Sequence, residues 1–134
     1  MSKRLANNLT IRVQFVKGLL SEYNQAGNCV WEDDNVRPRE FLLEIDPNLT
    51  LRRVLQSVCH EMVHVKQFAK GEMRDLAGAE RVSYNGKRYN LVKEDYFDRP
   101  WEIEAHGREL GLFVRWAEAN KLGHLKWTQE NERG

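Results

Sequence analysis

Apolar and polar residues alternate along the first third of the chain, a pattern typical of strands that bury one face. Strands are predicted over residues 10–16, 29–31 and 40–45. The first and third carry an apolar side chain at every second position, so each has one face directed towards a core. These side chains are Ile11, Val13 and Phe15 in the first strand, and Phe41, Leu43 and Ile45 in the third.

Two long stretches with helical periodicity follow the strands. Residues 50–70 carry apolar side chains every three or four positions, and Asn48 or Thr50 can cap the first turn. Residues 100–120 begin with Pro100, which is favoured at the first position of a helix because its missing N–H is not needed there. This second helix is expected to bury an apolar side made of Ile103, Leu110, Phe113, Val114 and Ala117.

The remaining segments are predicted from their turn residues. The Asn-Gly dipeptide at 85–86 is a strong signal for a two-residue turn, which predicts a β-hairpin over residues 82–91. Residues 72–80 are expected to be loop, and residues 121–134 a frayed polar tail apart from Trp127. The fold class is therefore expected to be α+β, with residues 1–134 as one domain. A mixed or antiparallel sheet of about three strands and the hairpin would pack on the two long helices.

Composition and charge narrow the class of protein. The chain has 134 residues, of which 41% are hydrophobic and 31% charged, as in ordinary globular domains. Its 21 basic and 20 acidic residues leave a net charge of +1, which disfavours nucleic acid as a partner without excluding it. There is no apolar run that fits a membrane span or a signal peptide, so a cytoplasmic protein is expected. The two cysteines, Cys29 and Cys59, are expected to be free thiols.

The segment with the most specific chemistry is His60-Glu61-Met62-Val63-His64, which lies inside the first long predicted helix. Histidines four positions apart leave one face of a helix about one turn apart, so both rings can bind one metal ion. Glu61 is expected to stand beside that ion and to activate a metal-bound water as the general base. This pattern indicates a zinc-dependent hydrolase with His60 and His64 as metal ligands.

A catalytic zinc ion usually has three protein ligands, so a third ligand is expected elsewhere in the chain. The second long helix contains Glu102 and His106, which are four positions apart and share one face. Glu104 is expected to point away from both. Either Glu102 or His106 should therefore complete the site, and the spacing by itself leaves both open.

Several segments resemble the gluzincin-type metallopeptidases. Residues 102–105 match the Glu-x-x-Ala pattern of the second helix in that family, with Glu102 at the ligand position. Residues 43–46, 60–67 and 100–105 are also similar to small phage-encoded SprT-like peptidases, and the order of elements looks like that of the minigluzincins and of the ImmA/IrrE type. The resemblance implies a zincin-like fold, a zinc ion bound by the two histidines and Glu102, and hydrolysis of peptide or protein substrates.

The same resemblance bears on the residues around the metal ligands. His106 stands where the family often has Asp or Asn, so it should either support a ligand histidine or, as in SprT proper, be the third zinc ligand. Tyr96 and His106 are candidates for stabilising the oxyanion, as are Tyr89 and Arg115, because such peptidases use Tyr, His or Arg there. The strand at residues 40–45 is expected to border the cleft and to pair with an extended substrate.

Two alternative functions stay open at the level of the sequence. The SprT-like resemblance allows a protease that acts on DNA-associated proteins, although the near-neutral charge does not favour strong DNA binding. A non-catalytic, regulatory zinc-binding module would use the ion to hold the two long helices together, with a closed shell of four protein ligands. Glu61 speaks against such a module, because a structural site has no use for a carboxylate beside the metal.

Overall fold

The structure is a computed structural model of the chain, which describes residues 2–76 and 80–129. In the described residues it is a mixed α+β protein with two three-stranded sheets and four α-helices, two of them long. The strands are Thr10–Phe15 (β1), Gly27–Trp31 (β2), Glu40–Ile45 (β3), Met73–Asp75 (β4), Arg81–Tyr84 (β5) and Lys87–Asn90 (β6). The α-helices are Lys3–Asn7 (α1), Leu19–Tyr23 (α2), Leu51–Ala69 (α3) and Pro100–Ala119 (α4), with short 3-10 helices at Tyr96–Asp98 and Lys126–Gln129.

The first sheet has the strand order β1-β3-β2, with β3 in the centre. β1 runs parallel to β3 and β2 runs antiparallel to it, so the sheet is mixed, in agreement with the predicted α+β class. Phe41, Leu43 and Ile45 of β3 are fully buried, and the first two pack with Val65 and Ala69 of α3. The central strand is buried because it has a neighbour on each side and a helix over its apolar face.

The prediction of a half-buried first strand is wrong for two of its residues. Val13 and Phe15 lie in register with Leu43 and Ile45 of β3, yet their exposed fractions are 48% and 60%. Helix α3 packs on β2 and β3, whereas β1 forms the far edge of the sheet. Alternation predicts the strand correctly but does not say which strand the helix covers, because that depends on tertiary packing.

The second sheet has the order β4-β5-β6, and its strands are antiparallel. The predicted hairpin is confirmed, since Asn85 and Gly86 join β5 to β6 with φ angles of 50° and 84°, as a two-residue hairpin turn of this kind requires. The prediction that residues 72–80 are loop is wrong at Met73–Asp75, which pairs with β5 as β4. A three-residue strand is too short to show a periodic pattern, so only its pairing partner defines it.

The two long helices begin and end close to their predicted limits. Thr50 caps α3, because its Oγ1 atom accepts a hydrogen bond of 3.2 Å from the backbone N–H of Arg53. Pro100 occupies the first position of α4, as predicted. Within the described ranges, no helix combines the length and the apolar character that a membrane crossing needs.

The apolar side predicted for α4 is only partly correct. Phe113 and Ala117 are buried, but Ile103, Leu110 and Val114 are exposed. The reason is that α4 covers the polar side of α3, so the buried face of α4 includes a charged residue as well as apolar ones. The other buried residues of this face are Trp101, Glu102 and Ala105.

The C-terminal segment is not simply a frayed tail. Residues 126–129 form a 3-10 helix, and Thr128 is buried. The ring of Trp127 lies 6.4 Å from the ring of Phe113 between centroids, so this segment packs against α4. Residues 130–134 of the predicted tail lie outside the described residues.

The two cysteines are free thiols, as predicted. Burial is the main cause that raises the pKa of each thiol. In the part of the chain that the structure describes, neither belongs to a group of metal-binding residues.

Candidate metal centre

Two histidine rings of α3 and a carboxylate of α4 converge between the two long helices. His60 and His64 lie four residues apart on α3, and each is 8% exposed. The Nε2 atom of His60 lies 3.0 Å from Oε1 of Glu102, and the Nε2 atom of His64 lies 3.1 Å from the same oxygen. The ligating atoms of these three residues lie within 4.8 Å of one another, so the group could hold a metal ion.

The spacing of these atoms suits a small ion. Around a tetrahedral ion with bonds of about 2.0–2.1 Å, as for zinc, neighbouring ligand atoms are about 3.3–3.4 Å apart. The observed nitrogen-to-oxygen distances of 3.0 Å and 3.1 Å are only slightly shorter. Small outward shifts of the three side chains would therefore accommodate an ion between them.

A glutamine decides which nitrogen of His64 faces the site. Nδ1 of His64 lies 2.8 Å from Oε1 of Gln67, and the amide nitrogen of Gln67 donates to the carbonyl of Trp101 and to Glu104. Because the amide nitrogen of Gln67 is committed to two acceptors, its oxygen faces His64, whose Nδ1 must carry the proton. His64 therefore presents the lone pair of Nε2 to Glu102.

Glu109 orients His60 in the same way. Its Oε1 atom lies 3.1 Å from Nδ1 of His60, and its Oε2 atom accepts a hydrogen bond of 2.8 Å from the amide of Gln56. Burial alone would raise the pKa of Glu109, but the hydrogen bonds from His60 and Gln56 outweigh it and lower the pKa. A charged carboxylate at this point keeps the proton on Nδ1 and leaves Nε2 free to bind an ion.

The two supporting residues were not identified as such from the sequence. Gln67 follows His64 by three positions, so it lies one turn further along the same face of α3. Glu109 lies seven positions after Glu102, about two turns further along the same face of α4, and this spacing was the one available signal. Neither spacing identifies a residue that supports a ligand until the two helices are known to pack face to face.

These orientations bring three hydrogen-bond acceptors to one point. The Nε2 lone pairs of His60 and His64 and the carboxylate of Glu102 repel one another unless a positive charge lies between them. In the metal-free protein this positive charge is a proton: burial lowers the pKa of His60, but its hydrogen bonds to Glu102 and Glu109 outweigh burial and raise the pKa to about 10. Likewise, burial opposes but does not prevent a lowered pKa of Glu102 beside the two histidines. The site thus favours a cation, and its two nitrogens and one carboxylate suit a divalent metal ion.

Glu61 lies beside this group on α3. It is 6% exposed and lines the same cleft as His60 and Glu102. Burial raises the pKa of Glu61 to about 7, against the opposing effect of the charges on His64 and His60. A carboxylate with such a pKa can both accept and return a proton near neutral pH.

Tyr96 and His106 lie on the outer side of the group. The hydroxyl of Tyr96 donates a hydrogen bond of 3.0 Å to Oε1 of Glu102 and lies 3.4 Å from Nε2 of His106. The side chain of His106 is 45% exposed, and its Nδ1 atom lies 2.8 Å from Oε1 of Glu109. Among the described residues, His106 shares a potential metal-binding group with His60 and Glu109, but none with the second histidine of α3. The structure therefore brings Glu102, and not His106, together with both histidines of that helix.

A cleft of about 930 Å³ opens onto the site, with β2 in one wall. A Cβ atom at Gly27 would lie 2.8 Å from the carbonyl oxygen of Glu44, so only glycine fits against β3 at this point, and it would lie in ordinary contact, at 3.5 Å, with Cγ of Glu61. The prediction that the strand at residues 40–45 borders the cleft is wrong. That strand is β3, which has a neighbour on each side, and the edge strand at the cleft is β2.

The backbone of β2 offers unpaired groups along its outer edge. The N–H of Asp46 donates to the carbonyl of Ala26, and the N–H of Glu32 donates to the carbonyl of Glu40. Bonded and non-bonded positions alternate along an antiparallel strand, so every second residue between Ala26 and Glu32 directs its N–H and C=O away from β3. These residues are Gly27, Cys29 and Trp31, and in the described ranges no strand pairs with them.

The remaining oxyanion candidates lie away from the cleft. The ring of Tyr89 packs against that of Trp101, with 5.3 Å between centroids. Arg115 is exposed on α4. Of the four candidates, the structure brings Tyr96 and His106 to the wall of the cleft and leaves the other two outside it.

We expect Gln67→Met to weaken metal binding about 10–100-fold, the usual cost of removing the hydrogen-bond partner of a ligand histidine. Methionine fills the fully buried position with a similar volume, but it does not hold the proton on Nδ1 of His64. Competition with a chromophoric chelator measures the affinity, and Gln14→Met on the exposed strand β1 is the matched control. Equal affinity in both variants would contradict the orienting role of Gln67.

The segments compared with gluzincin-type peptidases are residues 60–64 and 102–105, and those compared with SprT-like peptidases are residues 43–46, 60–67 and 100–105. In the structure the last three segments are the end of β3, the middle of α3 and the start of α4, and the two on the helices carry the residues of the site. Comparison of the chain with models of protein families, with curated proteins and with solved structures finds no match.

Proposed function

We propose that this chain is a zinc-dependent peptidase with a zincin-like site, in which Glu61 is the general base. The observation that carries the proposal is the convergence of three ligating atoms in the wall of a cleft. A further buried carboxylate, that of Glu61, lies in the same wall. Two histidine nitrogens and one carboxylate oxygen are a donor set that zinc takes at catalytic sites, where a fourth position stays open for reactants. An open position favours catalysis over a purely structural role for the ion. The ligands are His60, His64 and Glu102.

A zinc ion bound there supplies Lewis-acid chemistry, since it acidifies water and polarises a carbonyl group. The chain supplies the proton transfer. Glu61 is adjacent to His60 in sequence, is buried, and lies in the wall of the cleft. Its carboxylate can therefore accept a proton from the attacking water and return it to the amine that leaves.

Tyr96 is the best-placed donor for the negative charge that develops on the carbonyl oxygen when water attacks the carbonyl carbon. Its hydroxyl lies 3.0 Å from Oε1 of Glu102 and therefore close to the point where the ligands converge. Hydrogen-bond donors at such a point stabilise the charge that develops in the transition state. His106, 3.4 Å from the same hydroxyl, would hold the ring of Tyr96 in place.

The free edge of β2 supports a peptide as the substrate. Gly27 and Cys29 line the cleft and direct their backbone N–H and C=O groups away from the sheet. An extended peptide can pair with these groups as an additional strand, which would bring its backbone past Glu61. Recognition through the backbone sets the class of substrate, and side-chain contacts along the cleft would set the preferred sequence.

Digestion of a peptide library by the zinc-loaded protein tests this function, with mass spectrometry as the readout. We expect cleavage that a chelator abolishes and that added Zn²⁺ restores, because the ion is required for the reaction. Cleavage that persists in the chelator would point to a contaminating or metal-independent activity. No cleavage of any library peptide by protein with one bound Zn²⁺ would contradict the proposal.

A further inference from the structure

A second cluster of metal-binding residues lies on the outer side of His60. Oε1 of Glu109 lies 3.1 Å from Nδ1 of His60 and 2.8 Å from Nδ1 of His106. The ligating atoms of these three residues lie within 4.8 Å of one another, as they do in the inner group. The rings of His60 and His106 are 4.5 Å apart between centroids. His60 thus stands between two carboxylate oxygens, each of which also contacts another histidine.

The spacing of residues along α4 produces this repetition. Glu102 and Glu109 are seven residues apart, which is about two helical turns, and His106 lies between them. One face of α4 therefore directs two carboxylates at the two ring nitrogens of a single histidine on α3. The spacing along α4 and the packing of α4 on α3 together account for the second cluster, whose three residues all lie on these two helices.

The two clusters differ in their access to solvent. In the inner group the side chains of His64 and Glu102 are 10% and 11% exposed, whereas in the outer cluster Glu109 is 14% and His106 is 45% exposed. An ion can therefore reach the outer cluster directly from solvent. Solvent can also complete the coordination of an ion that has only three ligands from the protein.

We propose that His60, His106 and Glu109 form a second, weaker site for a divalent metal ion, which shares His60 with the inner site. Two imidazole nitrogens and one carboxylate select ions such as Zn²⁺, Co²⁺ and Cu²⁺ over Mg²⁺ and Ca²⁺, which prefer oxygen ligands. The inference rests on the metal centre of the proposed function, but it does not depend on the hydrolytic activity.

The shared histidine makes the outer site the weaker one. When Nε2 of His60 binds the inner ion, Nδ1 carries the proton that is donated to Glu109. A second ion takes the place of this proton, which is released to solvent, and the ring of His60 then bridges the two ions as an imidazolate. Because the ion has to displace a proton, the outer site is expected to bind more weakly than the inner site.

The test is equilibrium dialysis of the full chain, stripped of metal beforehand, against increasing Zn²⁺. We expect two bound ions per chain in the parent protein and one in His106→Ala, whose tight ion keeps its affinity. His124→Ala is the matched control. His124 is the one histidine of the chain that belongs to neither group, and it is exposed. That variant should still bind two ions.

A spectroscopic readout distinguishes the shared site from an unrelated surface site. Two Cu²⁺ ions bridged by one imidazolate couple magnetically, so the EPR intensity of the parent protein should fall when the second equivalent is added. In His106→Ala the intensity should stay that of one isolated ion. Intensity that simply doubles in the parent protein would overturn the proposal.

Two further outcomes separate this inference from the proposed function. A single Zn²⁺ per chain in the parent protein overturns the second site, and so does loss of the tight ion in His106→Ala, which would make His106 a ligand of the inner site. Two bound ions in a protein that cleaves no peptide would support the second site and count against the peptidase.

Discussion

Glu61→Gln is expected to keep its zinc ion and to lose peptide hydrolysis by about 10²–10⁴-fold, the usual contribution of a positioned general base. Glutamine has nearly the same shape as glutamate, so the buried position stays filled. Its amide cannot accept a proton from water at neutral pH. The loss should therefore appear in kcat, while the affinity for metal and the fold stay close to those of the parent protein.

The position of Glu61 explains why metal binding and catalysis should separate in this variant. The inner group of ligating atoms consists of His60, His64 and Glu102. Glu61 lines the cleft next to that group but does not belong to it. Removing its charge changes the proton acceptor and leaves the ligand atoms untouched.

The measurement is the rate of peptide cleavage together with the metal content of the purified variant. Glu118→Gln, on the exposed side of α4, is a matched control for the loss of one carboxylate and should cleave at the parent rate. If Glu61→Gln cleaved as fast as that control, the general-base mechanism would be wrong. If it lost its metal instead, Glu61 would have to be a ligand.

Glu102→Ala is expected to lose tight metal binding, whereas His106→Ala keeps it. Removing the hydrogen-bond partner of a ligand costs about 10–100-fold in metal affinity, so removing a ligand itself should cost more than that. Glu102 is the carboxylate whose Oε1 atom lies 3.0 Å and 3.1 Å from the two Nε2 atoms. Without it, His60 and His64 would be the remaining protein ligands of the inner ion.

For His106→Ala we expect the opposite result, namely that the tight ion is kept. Its side chain is 45% exposed and contacts Glu109 and Tyr96, on the outer side of the site. Alanine at this position leaves the inner ligands and their orienting hydrogen bonds in place. The tight ion should therefore be bound with an affinity close to that of the parent protein.

Competition with a chelator of known affinity measures both variants under the same conditions. Circular dichroism should confirm that Glu102→Ala still folds, because an alanine at a 9% exposed position removes one buried carboxylate between the helices. Glu102→Gln keeps the volume of the side chain and removes its charge. This variant should also bind metal weakly, since a neutral amide oxygen is a poorer ligand than a carboxylate. Loss of the tight ion in His106→Ala, with retention in Glu102→Ala, would reverse the assignment of the third ligand.

The elements that depend on local sequence were predicted well. The periodic stretches became α3 and α4 within one or two residues of their predicted ends, and the Asn-Gly turn formed its hairpin. These features need only neighbours a few residues away, because turn preference, capping and helical periodicity act over that distance. The errors fall where a distant partner decides, as for β4, for the exposed residues of β1 and for the apolar side of α4.

The sequence by itself determined that His60 and His64 leave one side of a helix with Glu61 between them, because helical geometry alone sets a spacing of four residues. On the second helix, spacing left both Glu102 and His106 open as the third ligand, and the family resemblance favoured Glu102. Only the packing of α4 on α3 decided that Glu102 meets both Nε2 atoms, that Glu109 and Gln67 hold the other nitrogens, and that β2 borders the cleft. The physical reason is that the rotation and height of one helix against another depend on the whole interface, and no spacing within either helix contains that information.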